Sequence, residues 1–265
     1  MENTVTSQDG TTIAYTRVGH GPAVILVDGA MCHRASGPNP ALAAELAGSH
    51  TVYTYDRRGR GGSGDTAPFA VEREIDDLAA LIEAIGEPVF LYGISSGAAL
   101  ALAATAAGLP VTKVAVYEPP FVVDGTRAPM PHDYEERIRD FIAAGRPADA
   151  IRYFMRTGVG LPGIMVAMMR LMPGWSGMKA IAHTLAYDAA FVARFGQGKP
   201  LPEHEWDAVK VPALVIDGGK SPAWIRNGAA DLARVLPDAA ARTLDGQTHL
   251  VKARVLAPVL KGFFA

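Results

Sequence analysis

Ser95 is the residue whose neighbours best suit it to act as a nucleophile. It lies in Gly93-Ile94-Ser95-Ser96-Gly97, a G-x-S-x-G run entered from the apolar segment Val89 to Tyr92 and left through the alanine-rich stretch Ala98 to Ala107. In that strand–turn–helix context the flanking glycines permit a turn too tight for side chains, and the serine hydroxyl is held out from the chain. The helix that follows aims its free N–H groups and positive end at the same spot, where an oxyanion would form. A hydroxyl is a poor nucleophile at neutral pH, so Ser95 needs a base, and the base needs a carboxylate to stabilise its charged form. The chain has seven histidines for the first role. His20 and His50 flank strand turns, and His33 follows the apolar run Ala23 to Val27. His132, His183 and His204 lie in a central stretch without strand signal, while His249 stands between a C-terminal strand pattern and the last helix. Three carboxylates compete for the second role. Glu118 ends the run VAVYEPP at what would be the carboxyl edge of a sheet, where α/β folds build their sites. Asp217 lies in VIDGG, and Asp245 precedes Gly246 in a turn pattern close to His249.

The elements that must position these residues alternate. Strand signals at Thr11 to Arg17, Ala23 to Val27, Thr51 to Tyr55, Val89 to Tyr92 and Val111 to Tyr117 are separated by helical patterns at Pro40 to Ala47, Glu72 to Ile85 and after Ser95. Strands separated by helices imply a mostly parallel sheet covered on both faces. From Pro119 to about Asp207 the pattern is helical only, in pieces at Tyr134 to Ala144, Pro147 to Arg156, Gly163 to Met172 and Met178 to Phe195. Strand character returns at Ala213 to Ile216 and Ala241 to Leu244, and a helix over Val255 to Phe264 closes the chain. The expected organisation is an α/β core over 1–120 and 208–265, with a helical lid over 121–207 inserted after the sixth strand.

Composition narrows the function classes. A net charge of −2, with basic residues interspersed among acidic ones, gives no footprint for nucleic acid. The one cysteine, Cys32, rules out an internal disulfide framework and a zinc site built of cysteines. Without an elbow around it, Cys32 reads as pocket wall or filler rather than a nucleophile. The polar start MENTVTSQDG resembles no signal peptide, and no apolar run reaches membrane-spanning length. A soluble, cytoplasmic protein without membrane contact is expected.

Four stretches resemble, in order and at natural spacing, the loops of the α/β-hydrolase superfamily: VILVDGAM, YDRRGRGGSGD, GISSG and DGQTH. The chain is most similar to small lid-bearing esterase-like hydrolases. The resemblance implies an eight-stranded, mostly parallel sheet, with Ser95 as nucleophile and His249 as base. It places the oxyanion hole on the backbone N–H groups of Ala30 and Ser96. Two stations depart from the family pattern. Asp28-Gly29 stands where His-Gly is usual, and Ser221 occupies the usual seventh-strand position of the acid. A serine cannot supply charge to a histidinium, so the resemblance points to Glu118, which some members use after the sixth strand, with Asp217 as the alternative.

The implied activity is hydrolysis of an ester, lactone or thioester of a fairly hydrophobic small molecule through an acyl-enzyme, with no cofactor and no metal. An amide or carbon–carbon bond hydrolase would use the same residues, and a ligand-binding protein on a hydrolase shell is the rival from another class. Met31 beside the oxyanion loop and Met168, Met172 and Trp175 in the lid are the expected pocket residues, because methionine lines adaptable apolar pockets well.

Overall fold

Five consecutive apolar residues form a strand buried on both faces, Ala23–Val27 (β3), at the middle of an eight-stranded sheet. The computed structural model describes residues 3–265. The other strands are Asn3–Thr6 (β1), Thr12–Gly19 (β2), Thr51–Tyr55 (β4), Val89–Ile94 (β5), Val111–Tyr117 (β6), Ala213–Gly218 (β7) and Ala239–Leu244 (β8). Their order across the sheet is β1-β2-β4-β3-β5-β6-β7-β8. The pairs from β4 to β8 are parallel, and β1 and β2 add an antiparallel edge.

Alternation along β3 divides the core. Ile25 and Val27 face one side, with helices Val71–Ile85 (α2) and Ser96–Ala106 (α3). Val24 and Leu26 face the other, with Asn39–Leu46 (α1) and the C-terminal Ala253–Phe264. A continuously apolar strand is what burial on both faces requires. Between β7 and β8 runs a helix that the alternation pattern did not register, Ala223–Val235.

Between β6 and β7 the chain is helical: Tyr134–Ala143 (α4), Pro147–Tyr153 (α5), Gly163–Met168 (α6), Trp175–Ala180 (α7) and Leu185–Val192 (α8). This insert packs around its own apolar cluster, including Val122, Tyr134, Ile138, Ile151, Leu185 and Ala189. The longer helices expected here are interrupted. Pro147 to Arg156 passes at Phe154 into a wider π turn that ends on Gly160 in the left-handed region. The pattern expected from Met178 to Phe195 breaks at Ile181 into short 3-10 turns. Among the described residues no helix is long and apolar enough to cross a membrane.

Candidate active site

Ser95 follows the last residue of β5 and caps α3, with φ 57° and ψ −127°. An L-residue adopts this region only when its surroundings force it, at a cost of about 1–3 kcal/mol. Its N–H donates to Tyr117 O at 2.9 Å, tying the turn to β6. A Cβ at Gly97 would lie 2.5 Å from the carbonyl oxygens of Val27 and Asp28, so only glycine lets α3 start this close to β3. Just two other non-glycine residues among those described have positive φ, Met31 at 62° and Glu118 at 47°. All three lie in loops beyond the carboxyl ends of strands, on the side of the sheet where such folds place their chemistry.

Glu118 is fully buried at the end of β6. Each of its oxygens has one partner: Oε1 accepts from Gly218 N–H at 2.7 Å, and Oε2 lies 2.8 Å from His249 Nδ1. His249 comes from the loop after β8, which Tyr117 OH holds by donating to Thr248 O at 2.8 Å. The imidazole is 39% exposed, so its outer edge is reachable while its inner nitrogen rests on a desolvated carboxylate. The structure therefore brings together the Glu118 and His249 read from the sequence.

Asp217 turns elsewhere. It pairs in register with Thr243 of β8 and accepts from Thr243 Oγ1 at 2.8 Å. Burial, with no cation bound to it, pushes its carboxyl up from the usual range. Ser221 is buried with its hydroxyl unpartnered, and Asp245 is exposed.

Ser95, Ser96, His249 and Ala30 line one cavity of about 230 Å³. Its remaining wall is mainly apolar, with Phe154, Val159 and Leu161 from the π turn and its exit, Met130 and Tyr134 from the start of the insert, and Trp224 and Ile225 after β7. The methionines expected there are placed differently. Met168 and Met172 are 62% and 54% exposed: Met168 ends α6, whose one buried side chain is Val166, and Met172 follows the 3-10 turn after it. Trp175 and Met31 are partly buried against the insert's own cluster, and neither is among the cavity-lining residues. Among the described residues no group of His, Cys, Asp and Glu is arranged to hold a metal ion.

Asp28, the departure from His-Gly, is 1% exposed, with the Asn39 side chain beside its carboxyl. Burial pushes its carboxyl up to about 7, although Arg60 and Arg57 pull it down. Between about pH 4 and 7 the folded chain thus keeps a proton that the unfolded chain has lost, so this group's contribution to stability falls as pH rises through that window. Asp28→Asn is therefore expected to raise the unfolding temperature at pH 8 and to change it little at pH 4, as followed by circular dichroism.

A further set of residues escaped the sequence reading. Asp188 of α8 is 1% exposed and also lines the cavity. Its Oδ1 accepts from Arg57 Nη1 and Ser96 Oγ, both at 2.7 Å, and its Oδ2 accepts from Arg60 Nη2 at 2.7 Å. Arg57 is also paired with Glu74 through two donors at 2.6 and 2.7 Å. Burial works against the Asp188 anion, but Arg60 and Arg57 outweigh it and hold the carboxyl below its usual range. The available signal was a lone carboxylate in the apolar helix LAYDAAFV, set against the cluster Arg57-Arg58-Gly59-Arg60.

The described alpha/beta hydrolase family model matches residues 19–257. A solved alpha/beta hydrolase from Sphaerobacter thermophilus is 51% identical, covers 99% of this chain and all of its own, and superposes with a TM-score of 0.90. An N-formylmaleamate deformylase of Pseudomonas putida is 28% identical over 98% of this chain and 92% of its own length. A thermophilic esterase from Thermogutta terrifontis, solved with malate bound, shares the fold at a TM-score of 0.72 and 20% identity, covering 100% of this chain and 98% of its own. The match along nearly the whole length, on this eight-stranded sheet, makes the chain a member of the alpha/beta hydrolase family.

Proposed function

We propose that the protein is a serine hydrolase cleaving a carboxylic ester, lactone or thioester of a neutral, apolar substrate through an acyl-enzyme. One observation carries the proposal: a strained serine and a histidine seated on a buried carboxylate line the same apolar cavity. In the proposed mechanism His249 takes the proton of Ser95 through the ring nitrogen that Glu118 leaves free, and Ser95 Oγ attacks the substrate carbonyl. The oxyanion rests on the N–H groups of Ala30 and Ser96. His249 then protonates the departing alcohol or thiol, and the acyl group stays on Ser95. Water, deprotonated by His249, releases the acid. Glu118 stabilises the histidinium at both stages and stays ionised. The insert between β6 and β7 acts as the cap of this cavity.

The composition of the wall supports this substrate class. Apart from His249 no lining side chain can carry positive charge, and Asp188 is a fixed anion. An acid group on the acyl chain would meet the Asp188 anion and no lining cation but His249, whereas a neutral alkyl or aryl group meets Phe154, Val159, Leu161 and Trp224. The deformylase relative favours amide cleavage as a second reading, using the same residues.

A series of p-nitrophenyl esters of increasing acyl length, run beside the matching neutral anilides, tests the proposal. Ester turnover should exceed anilide turnover, and dicarboxylic half-esters should be poor substrates. Trp224→Ala should change kcat/KM for the preferred acyl group about 10-fold and lengthen the preferred chain, while the outward-facing Met168→Ala should alter neither. No ester turnover, or a preference unmoved by Trp224→Ala but shifted by Met168→Ala, would overturn this account of the cavity.

A further inference from the structure

The Asp188 network reaches the two backbone groups on which the oxyanion would rest. Arg60 spans two elements: Nη2 donates to Asp188, and Nη1 donates to Gly29 O at 2.8 Å and Cys32 O at 3.3 Å. Arg57 Nη1, bound to the same carboxylate, also donates to Asp28 O at 3.2 Å. In a planar trans peptide the C=O and N–H point in opposite directions. A guanidinium fixed on Gly29 O therefore turns the Ala30 N–H away from the arginines, on the side where Ser95 lies. The two chains are close there, for a Cβ at Gly29 would lie 3.0 Å from Ser95 Cβ. The second donor belongs to Ser96, whose hydroxyl donates to Asp188 Oδ1. Among the described residues no protein acceptor takes the N–H of Ala30 or Ser96.

We propose that Asp188 is the positioning residue of the oxyanion hole: from the insert, its one carboxylate fixes both donor peptides, Ala30 through Arg60 and Ser96 through the serine hydroxyl. The proposal rests on the serine hydrolase reading above. Its consequence is that the hole is complete only while α8 is docked on the core, so closing the insert and preparing the catalyst are one event. Two buried arginines explain why a carboxylate is used here: Asp188 and Glu74 offset their charge while leaving donors free for backbone carbonyls.

The test compares wild type with Asp188→Asn and Arg60→Lys on an aryl ester, and measures affinity for a trifluoromethyl ketone whose serine adduct carries the oxyanion. Lysine keeps the charge opposite Asp188 but cannot span to Gly29 O as the guanidinium does. Asp188→Asn should lower kcat by about 10- to 100-fold, since a displaced donor costs less than the 100- to 1,000-fold of one removed. KM should change less than about threefold, and ketone affinity should fall in step with kcat/KM. Arg60→Lys should move the same quantities in the same direction by about 10-fold, and it decides the matter if Asp188→Asn yields no folded protein. A folded variant with lower thermal stability but wild-type kcat and ketone affinity would overturn the proposal, because a merely structural tie has that signature. If Ser95→Ala retained turnover, the hydrolase reading itself would fail, which is a separate outcome.

Discussion

Ser95→Ala is expected to lower kcat for an aryl ester by about 10⁴- to 10⁶-fold, as loss of the serine does where serine, histidine and acid act as a unit. The protein should remain folded. Alanine keeps the Cβ that the turn accommodates, and the Ser95 N–H still donates to Tyr117 O. Binding of a product-like acid or alcohol should persist, since Phe154, Val159, Leu161 and Trp224 are untouched. His249→Ala should do comparable damage, and the double variant should be little worse than either single one. Separate, multiplying losses would mean that the two side chains serve different steps.

Glu118→Gln carries the second largest expected effect, a fall in kcat of about 10²- to 10⁴-fold. Its geometry makes the substitution severe. Glu118 accepts one hydrogen bond on each oxygen, from Gly218 N–H and from His249 Nδ1. Glutamine has one oxygen and one NH₂ group. With its oxygen on Gly218, the NH₂ faces Nδ1 and forces the tautomer whose proton sits on Nε2, which cannot deprotonate Ser95. With its oxygen on Nδ1, the NH₂ opposes the Gly218 N–H, two buried donors face each other, and no charge remains to stabilise histidinium. Asp217→Asn should change kcat less than about threefold, because Asp217 is bonded to Thr243 and not to His249. A fully active Glu118→Gln enzyme, measured by steady-state kinetics, would contradict this assignment of the acid.

Much of the frame was legible because the inner strands of the sheet are mostly buried and rich in β-branched and aromatic residues. Ala23–Val27, Thr51–Tyr55 and Val111–Tyr117 have in the structure the bounds expected from their residues. Asn3–Thr6 was not legible: it is a short polar edge strand, mostly exposed, recognisable only through its pairing with β2. The helix Ala223–Val235 leaves a fainter trace, although Ile225, Ala229 and Leu232 lie on one buried side of it. Glycine punctuation around the Ser95 turn and the sheet-edge position of Glu118 before Pro119-Pro120 made the candidate site readable.

The cavity wall was less so, for a physical reason. Apolar residues at helical spacing state that a face is apolar but not what it meets. Met168 and Met172 have that spacing and face outward. The wall is supplied by Phe154, Val159 and Leu161 around a π turn and by Trp224 after β7, segments joined only when the insert docks. Asp188 is the same case in polar form. Its partners lie 131, 128 and 92 residues away in sequence, so a single carboxylate in an apolar helix was the whole of the local trace.

Intact-mass spectrometry after treatment with a fluorophosphonate, followed by peptide mapping, tests the central claim most directly. Wild type should gain one phosphonyl group on Ser95, with activity lost in proportion to labelling, and Ser95→Ala should gain none. An unlabelled wild type that turns over esters, or a Ser95→Ala protein that is labelled and active like wild type, would contradict the acyl-enzyme at Ser95.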